Sequence, residues 1–161
     1  AIDGKPTRKQ KTNVLDVGED SIVAIRKAMF NVVNKKTGTA YKSRLIDEKK
    51  VFAGKTGTSQ IRQISESERL SGIKKNEDLP RNQRDHALFV GYVPHTKPKY
   101  AISVVVEHGG GGSQVAAPIA RDVLLFALEN KIPTLASYPV DQRKTVQDTF
   151  KTLKEKSTFK N

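Results

Sequence analysis

Apolar and polar positions fall in blocks along the chain, and each block has its own period. From Asp20 the residues Ile22, Ile25, Met29, Val32 and Val33 recur at three and four, which predicts one face of a helix with Asp20 or Ser21 as its N-cap. That helix should stop between Asn34 and Gly38. The stretch "KKVFAGKTGTSQI" sets Val51, Phe52, Thr56, Thr58 and Ile61 among two glycines, too punctuated for a helix, and predicts a strand. Residues 62–85 carry six basic and five acidic residues with little to bury, the pattern of an exposed, mobile excursion.

Two β-rich runs follow, "HALFVGYVP" and "YAISVVVEHG", joined by "HTKPK" as a short hairpin connection. The second run is apolar almost without interruption from Ala101 to Val106, which predicts burial on both faces. After Gly109–Gly112, "AAPIARDVLLFALENK" places Ile119, Val123, Leu124, Ala127 and Leu128 on one stripe, with Pro118 suited to a first turn. Residues 1–18 show no apolar period and read as loop. Residues 141–161 read as a basic, solvated tail, weakly helical around Val146, Phe150 and Leu153. Strands joined by loops rather than crossover helices must be antiparallel, so the expected class is α+β, a sheet covered by helices.

At 161 residues one domain is the default, here 1–140 with the tail 141–161 appended. Lys and Arg number 29 against 17 acidic residues, a formal charge of +12 that attracts anions. Absent cysteine removes disulfides, thiolate catalysis and Cys-ligated metals. No apolar run approaches the roughly 20 residues of a membrane span. The chain opens on Ala1 rather than Met and starts raggedly polar, from which we expect a piece of a longer protein.

Among short motifs, "AGKT" at Ala53–Thr56 ends like a phosphate loop. The glycine required five places earlier is Lys49, however, and a strand rather than a helix is predicted here. The glycine run at 109–112 could present amides to an anion ahead of a helix, but a flexible turn is the reading preferred. His86, His95 and His108 lack metal-ligand spacing, although His86 and His108 lie at strand ends that could converge. No metal or other cofactor is expected. The basic surface lacks the interleaved aromatics of a nucleic-acid binder, so nucleic acid is not an expected partner.

The tetrapeptide KTGT occurs twice, at Lys36–Thr39 and Lys55–Thr58. The first copy follows a helix, and its Gly38 reads as a left-handed C-cap. The second lies in a strand, where Lys55 and Gly57 face one way and Thr56 and Thr58 the other. A cation, two hydroxyls and free edge amides suit a carboxylate on a peptide laid along the strand, with Gly57 leaving room for close approach.

"FAGKTGTSQ", "HALFVGYVP", "YAISVVVEHGGGGS" and "AAPIARDVL", in this order and spacing, resemble the C-terminal part of the transpeptidase domain of class B penicillin-binding proteins, closest to the penicillin-binding protein 2 type of the elongation machinery. The resemblance spans about Val17 to Leu128. It implies three of the five strands of a penicillin-binding transpeptidase or serine β-lactamase-like fold, with KTG on an edge strand beside a serine that is acylated by D-Ala-D-Ala stem peptides or β-lactams. Carried over, Lys55 sets the positive potential of the site, Thr56, Gly57 and Thr58 bind the substrate carboxylate, and the Thr58 backbone N–H is an oxyanion-hole donor. The resemblance further implies elongation-machinery membrane proteins as partners and a place on the periplasmic face of the inner membrane, anchored by an upstream helix.

The family also needs Ser-x-x-Lys and Ser-x-Asn. Ser71–Lys74 and Ser157–Lys160 match the first string but follow KTG, one in a charged loop and one in the tail, and no Ser-x-Asn occurs. The nucleophile is thus expected outside this chain, which alone should be inactive. The strand at Tyr100–Glu107 should be left with an unpaired edge, covered by the chain's own ends, by a second copy or by aggregation. Two alternatives share some of these features: a serine β-lactamase or DD-carboxypeptidase fragment, and a basic non-enzymatic module for nucleic acid or membranes.

Overall fold

The computed structural model describes residues 16–158, with side chains as far as 155. The opening loop expected over 1–18 therefore lies mostly outside the described residues. Helix α1 (Glu19–Asn34) leads through two short 3-10 turns into strand β1 (Ala53–Ser59). A short helix α2 (Glu66–Ser71) interrupts the excursion that leads to β2 (His86–Val93) and β3 (Tyr100–Val106). A π-helical turn (Gly112–Ala116) then opens α3 (Ala117–Glu129), and α4 (Val140–Thr158) closes the described chain.

The sheet has the order β1-β2-β3 and is antiparallel throughout, the α+β arrangement expected from loop-joined strands. In its register Thr56 stands opposite Phe89 and Thr58 opposite Ala87, while Phe89 stands opposite Val104 and Ala87 opposite Val106. One face thus carries Gly54, Thr56 and Thr58 on β1 with Ala87, Phe89 and Val93 on β2, the last three fully buried. They join Val33, Phe52, Ala117, Ala120, Leu124 and Leu125 in a single core.

Five details differ from the sequence expectation. Helix α1 starts from Gly18 with no side-chain cap, two or three residues before the expected Asp20 or Ser21. Only its C-terminal half packs: Val33 is buried, whereas Ile22 and Ile25 remain exposed. In α3 the buried face is Ala117, Ala120, Leu124 and Leu125, with Ile119 and Val123 turned outward. Of the expected stripe Leu124 is in the core and Leu128 packs against it, and the two alanines take the places expected of Ile119 and Val123. Strand β3 is not buried on both faces, since it is an edge of this sheet and Val105 is 59% exposed. Among the described residues no strand pairs with its outer edge.

The fifth difference is the tail. Instead of a solvated appendage, α4 docks its first two turns: Val146 is 5% exposed, and Gln142 is buried against Arg121. Arg121 donates to both carboxylate oxygens of Asp122 (2.7 and 3.1 Å) and lies 4.6 Å from the ring centre of Tyr138. The Tyr138 hydroxyl donates to Asp122 (3.0 Å), and burial, followed by Asp122, raises its pKa. A buried cation is thus held by a carboxylate, an amide and an aromatic face.

Candidate functional site

Strand β1 is held in place at its entry. The Asn34 amide at the end of α1 donates to the carbonyls of Phe30 and Phe52, both at 3.0 Å, tying the helix to the residue just before the strand. The His95 N–H bonds Val51 O at 2.7 Å, and Arg26 bonds His95 O at the same distance. Burial and then Arg26 lower the pKa of the His95 imidazole, which packs on Phe30. His95 is therefore an anchor of the strand entry.

Along β1, Lys55 is exposed and its ammonium donates to Thr56 O at 2.8 Å. Thr56 is half-buried and Thr58 exposed. A Cβ built on Gly57 would meet Leu88 Cβ at 3.3 Å, a tight contact, so the glycine fits closely beside Leu88 instead of leaving the open side that its sequence suggested. The strand is an edge, and it runs straight through "AGKT" with no helix until Glu66, which removes the phosphate-loop reading.

The two KTGT copies, read in sequence as unrelated, meet in space. Thr39 Oγ1 lies 2.9 Å from Thr56 Oγ1. Gly38 is not a left-handed cap: α1 ends on Lys35 in an extended conformation, and the glycine is required because a Cβ would fall 2.3 Å from Val32 O and 2.4 Å from Asn31 O. The first copy is thus folded back over the helix end and presents Thr39 to the second. No periodicity signalled this; the repetition itself was the only sign.

The glycine run also has a packing reason. At Gly112 a Cβ would lie 2.3 Å from Gly57 O and 2.4 Å from Leu88 O, so the turn is pressed onto the KTG strand and its neighbour. It meets carbonyl oxygens there, which do not suit an anion cradle. Upstream, the Gly110 N–H bonds Asp85 O at 2.8 Å. His86 and His108 do converge, with ring centres 5.0 Å apart. His86 Nδ1 accepts from the His108 N–H (2.9 Å), and His108 Nδ1 lies 3.2 Å from Arg84 O, where it donates. Among the described residues no group of three or more His, Cys, Asp or Glu could hold a metal.

The excursion over 62–85 is more tied down than its composition suggested. Ser65 caps α2, Arg62 grips Glu68 with two bonds (2.7 and 2.6 Å), and Leu79 is buried. The Arg62 guanidinium, then the Lys74 N–H, holds the Glu68 carboxyl at a pKa of about 2. Ser71 ends α2 and donates to Ser67 O, and Gly72 at φ 113° turns the chain away before Lys74. Ser71 and Lys74 therefore do not share a helix. In the other string, Phe159 and Lys160 lie outside the described residues.

The penicillin binding protein transpeptidase domain model matches residues 2–125. The chain belongs to that family. Peptidoglycan D,D-transpeptidase MrdA of Haemophilus influenzae is 38% identical over 123 residues, 75% of this chain and 18% of the relative. The protein of the same name from Acinetobacter baumannii is 36% identical over 117 residues, 71% of this chain and 16% of the relative. Among solved structures, PBP2 of Pseudomonas aeruginosa superposes with a TM-score of 0.54 at 29% identity, covering 86% of this chain and 27% of that one. A complex between PBP2 and MreC from Helicobacter pylori gives 0.53 at 32% identity, covering 81% and 21%. The chain thus spans less than a fifth of the curated relatives named here, and no helix among its described residues is long and apolar enough to cross a membrane.

Proposed function

We propose that this chain forms the KTG wall of a peptidoglycan DD-transpeptidase of the MrdA type. A serine outside the chain attacks the D-Ala-D-Ala carbonyl, releases the terminal D-alanine and passes the acyl group to a stem-peptide amine. The observation carrying this reading is a strand that is an edge among the described residues and bears Lys55, Thr56, Gly57 and Thr58, in a chain of this family. Lys55 supplies positive potential, Thr56 and Thr58 receive the substrate carboxylate along the strand, and the Thr58 N–H stabilises the tetrahedral oxyanion. One such donor is worth on the order of 100- to 1,000-fold in rate.

Alone the chain is inactive, because its nucleophile lies outside it: Ser71 and Lys74 do not share a helix, and Ser157–Lys160 follows the KTG strand instead of preceding it. The parent protein acts at the periplasmic face of the inner membrane, held by an anchor outside this chain. Its partner is a membrane protein of the elongation machinery, as the PBP2–MreC complex of Helicobacter pylori suggests by analogy.

The test is covalent labelling by a fluorescent penicillin. The full-length parent should be acylated at a serine outside this chain, and Lys55→Ala should suppress the label while the isolated chain takes none. Label traced to Ser71 or Ser157 would overturn the assignment, and rapid turnover of a chromogenic β-lactam by the parent would move it to a β-lactamase.

A further inference from the structure

The contact between the tetrapeptides assigns a task to the first one. Thr39 Oγ1 and Thr56 Oγ1 share a hydrogen bond at 2.9 Å, and either oxygen can be the donor. Only one proton can lie between them, so the direction of that bond decides what Thr56 offers outward. If Thr56 donates to Thr39, it faces a ligand with lone pairs alone, which repel an anion. If Thr39 donates, the Thr56 proton is released toward the ligand and the two hydroxyls polarise one another.

Thr39 is well placed to hold this geometry. On its N-terminal side Gly38 lies against the carbonyls of Asn31 and Val32 too closely for any side chain, and its N–H bonds Lys35 O at 2.8 Å. On the other side Ala40 is fully buried and its N–H bonds Val32 O at 3.0 Å. The backbone is clamped on both flanks of an exposed side chain, and that side chain has the KTG threonine as its partner. Thr56 is itself fixed by its register opposite Phe89.

We propose that Thr39 is a positioning residue for carboxylate recognition: it donates to Thr56 and so aims the Thr56 proton at the carboxylate of the substrate or β-lactam. This rests on the functional reading above. A ligand without the anionic carboxylate gains little from the relay, which separates this role from simple support of the strand.

The experiment compares acylation of the full-length parent protein by benzylpenicillin and by its methyl ester, in the unaltered protein and in Thr39→Val, Thr39→Ala and Thr39→Ser. The expected result is a loss on the order of ten-fold with benzylpenicillin for both Val and Ala, because the Thr56 hydroxyl then loses the neutral hydrogen bond that aims and polarises it. Serine should restore the rate to within about two-fold, and the ester should react alike with every variant. Unchanged benzylpenicillin rates in Thr39→Val would overturn the proposal, as would equal losses with acid and ester. An unaltered parent that is not acylated at all overturns the functional reading and this inference with it.

Discussion

Replacing Gly112 by alanine tests whether the glycine run is set by packing on the KTG strand. The new Cβ would sit 2.3 Å from Gly57 O and 2.4 Å from Leu88 O, roughly 1 Å short of ordinary contact with each. These carbonyls belong to residues directly opposite each other in the β1–β2 ladder, so neither moves without opening the sheet at the tetrapeptide. The glycine run must withdraw instead, against the Gly110 bond to Asp85. Overpacking of this kind costs about 2–3 kcal/mol, and the stiffer unfolded chain of the alanine variant offsets at most about 1 kcal/mol. The net loss of about 1–3 kcal/mol corresponds to a fall of roughly 2–12 °C in Tm for a chain of this size. Thermal unfolding of the chain followed by far-UV circular dichroism measures it. Gly18→Ala is the control, because nothing lies within 4 Å of a Cβ there, and it should stay within about 0.5 kcal/mol. If the two variants melt together, the close approach does not fix the turn.

Docking of α4 predicts that Val146→Ala destabilises the chain by about 1–2 kcal/mol, whereas Leu153→Ala, at a side chain 58% exposed, changes it by less than about 0.5 in urea titration. Arg121→Ala should cost about 2–4 kcal/mol by the same measurement, since it removes a packed aliphatic stem, leaves the Gln142 carbonyl without its donor and leaves Asp122 with the Tyr138 hydroxyl but no cation. Glu68 has a folded pKa below its unfolded one, so the Arg62 clip is fully effective above about pH 4.5 and is lost as pH falls toward about 2. Carboxyl NMR should show a Glu68 midpoint near 2, returning to the ordinary glutamate range in Arg62→Gln; an ordinary midpoint in the unaltered chain would sink the assignment.

How much of this was legible in sequence depended on whether local pattern or long-range contact decided the feature. Strand β1 and the hairpin were readable as elements because their β-rich runs are bounded by turn residues, although the unbroken apolar run of β3 wrongly predicted burial on both faces. Helix α3 was readable as an element but not in its orientation. Its large residues Ile119 and Val123 looked like the core, yet Ala117, Ala120, Leu124 and Leu125 are the α3 residues that join it. The α4 helix was misjudged for a related reason. Val146 and Gln142 are buried only because Arg121 and Tyr138 form a surface for them, and a buried arginine on a helix leaves no trace in periodicity.

The site divides along the same line. Lys55, Thr56, Gly57 and Thr58 could be read as chemistry because their alternation along one strand decides which groups share a face. What sets the state of those groups comes from elsewhere: Gly112 presses on the backbone of Gly57, Asn34 ties the strand entry to α1, and Thr39 occupies the hydroxyl of Thr56. Each is a contact across seventeen or more residues whose cause is the absence of a side chain or the end of a helix. The two tetrapeptides show this most directly, because identical letters lie in different backbones and acquire complementary parts. In the second copy the glycine lets Leu88 lie close beside it across the ladder. In the first it lets the chain fold against the helix end, and that fold delivers a hydroxyl to the strand.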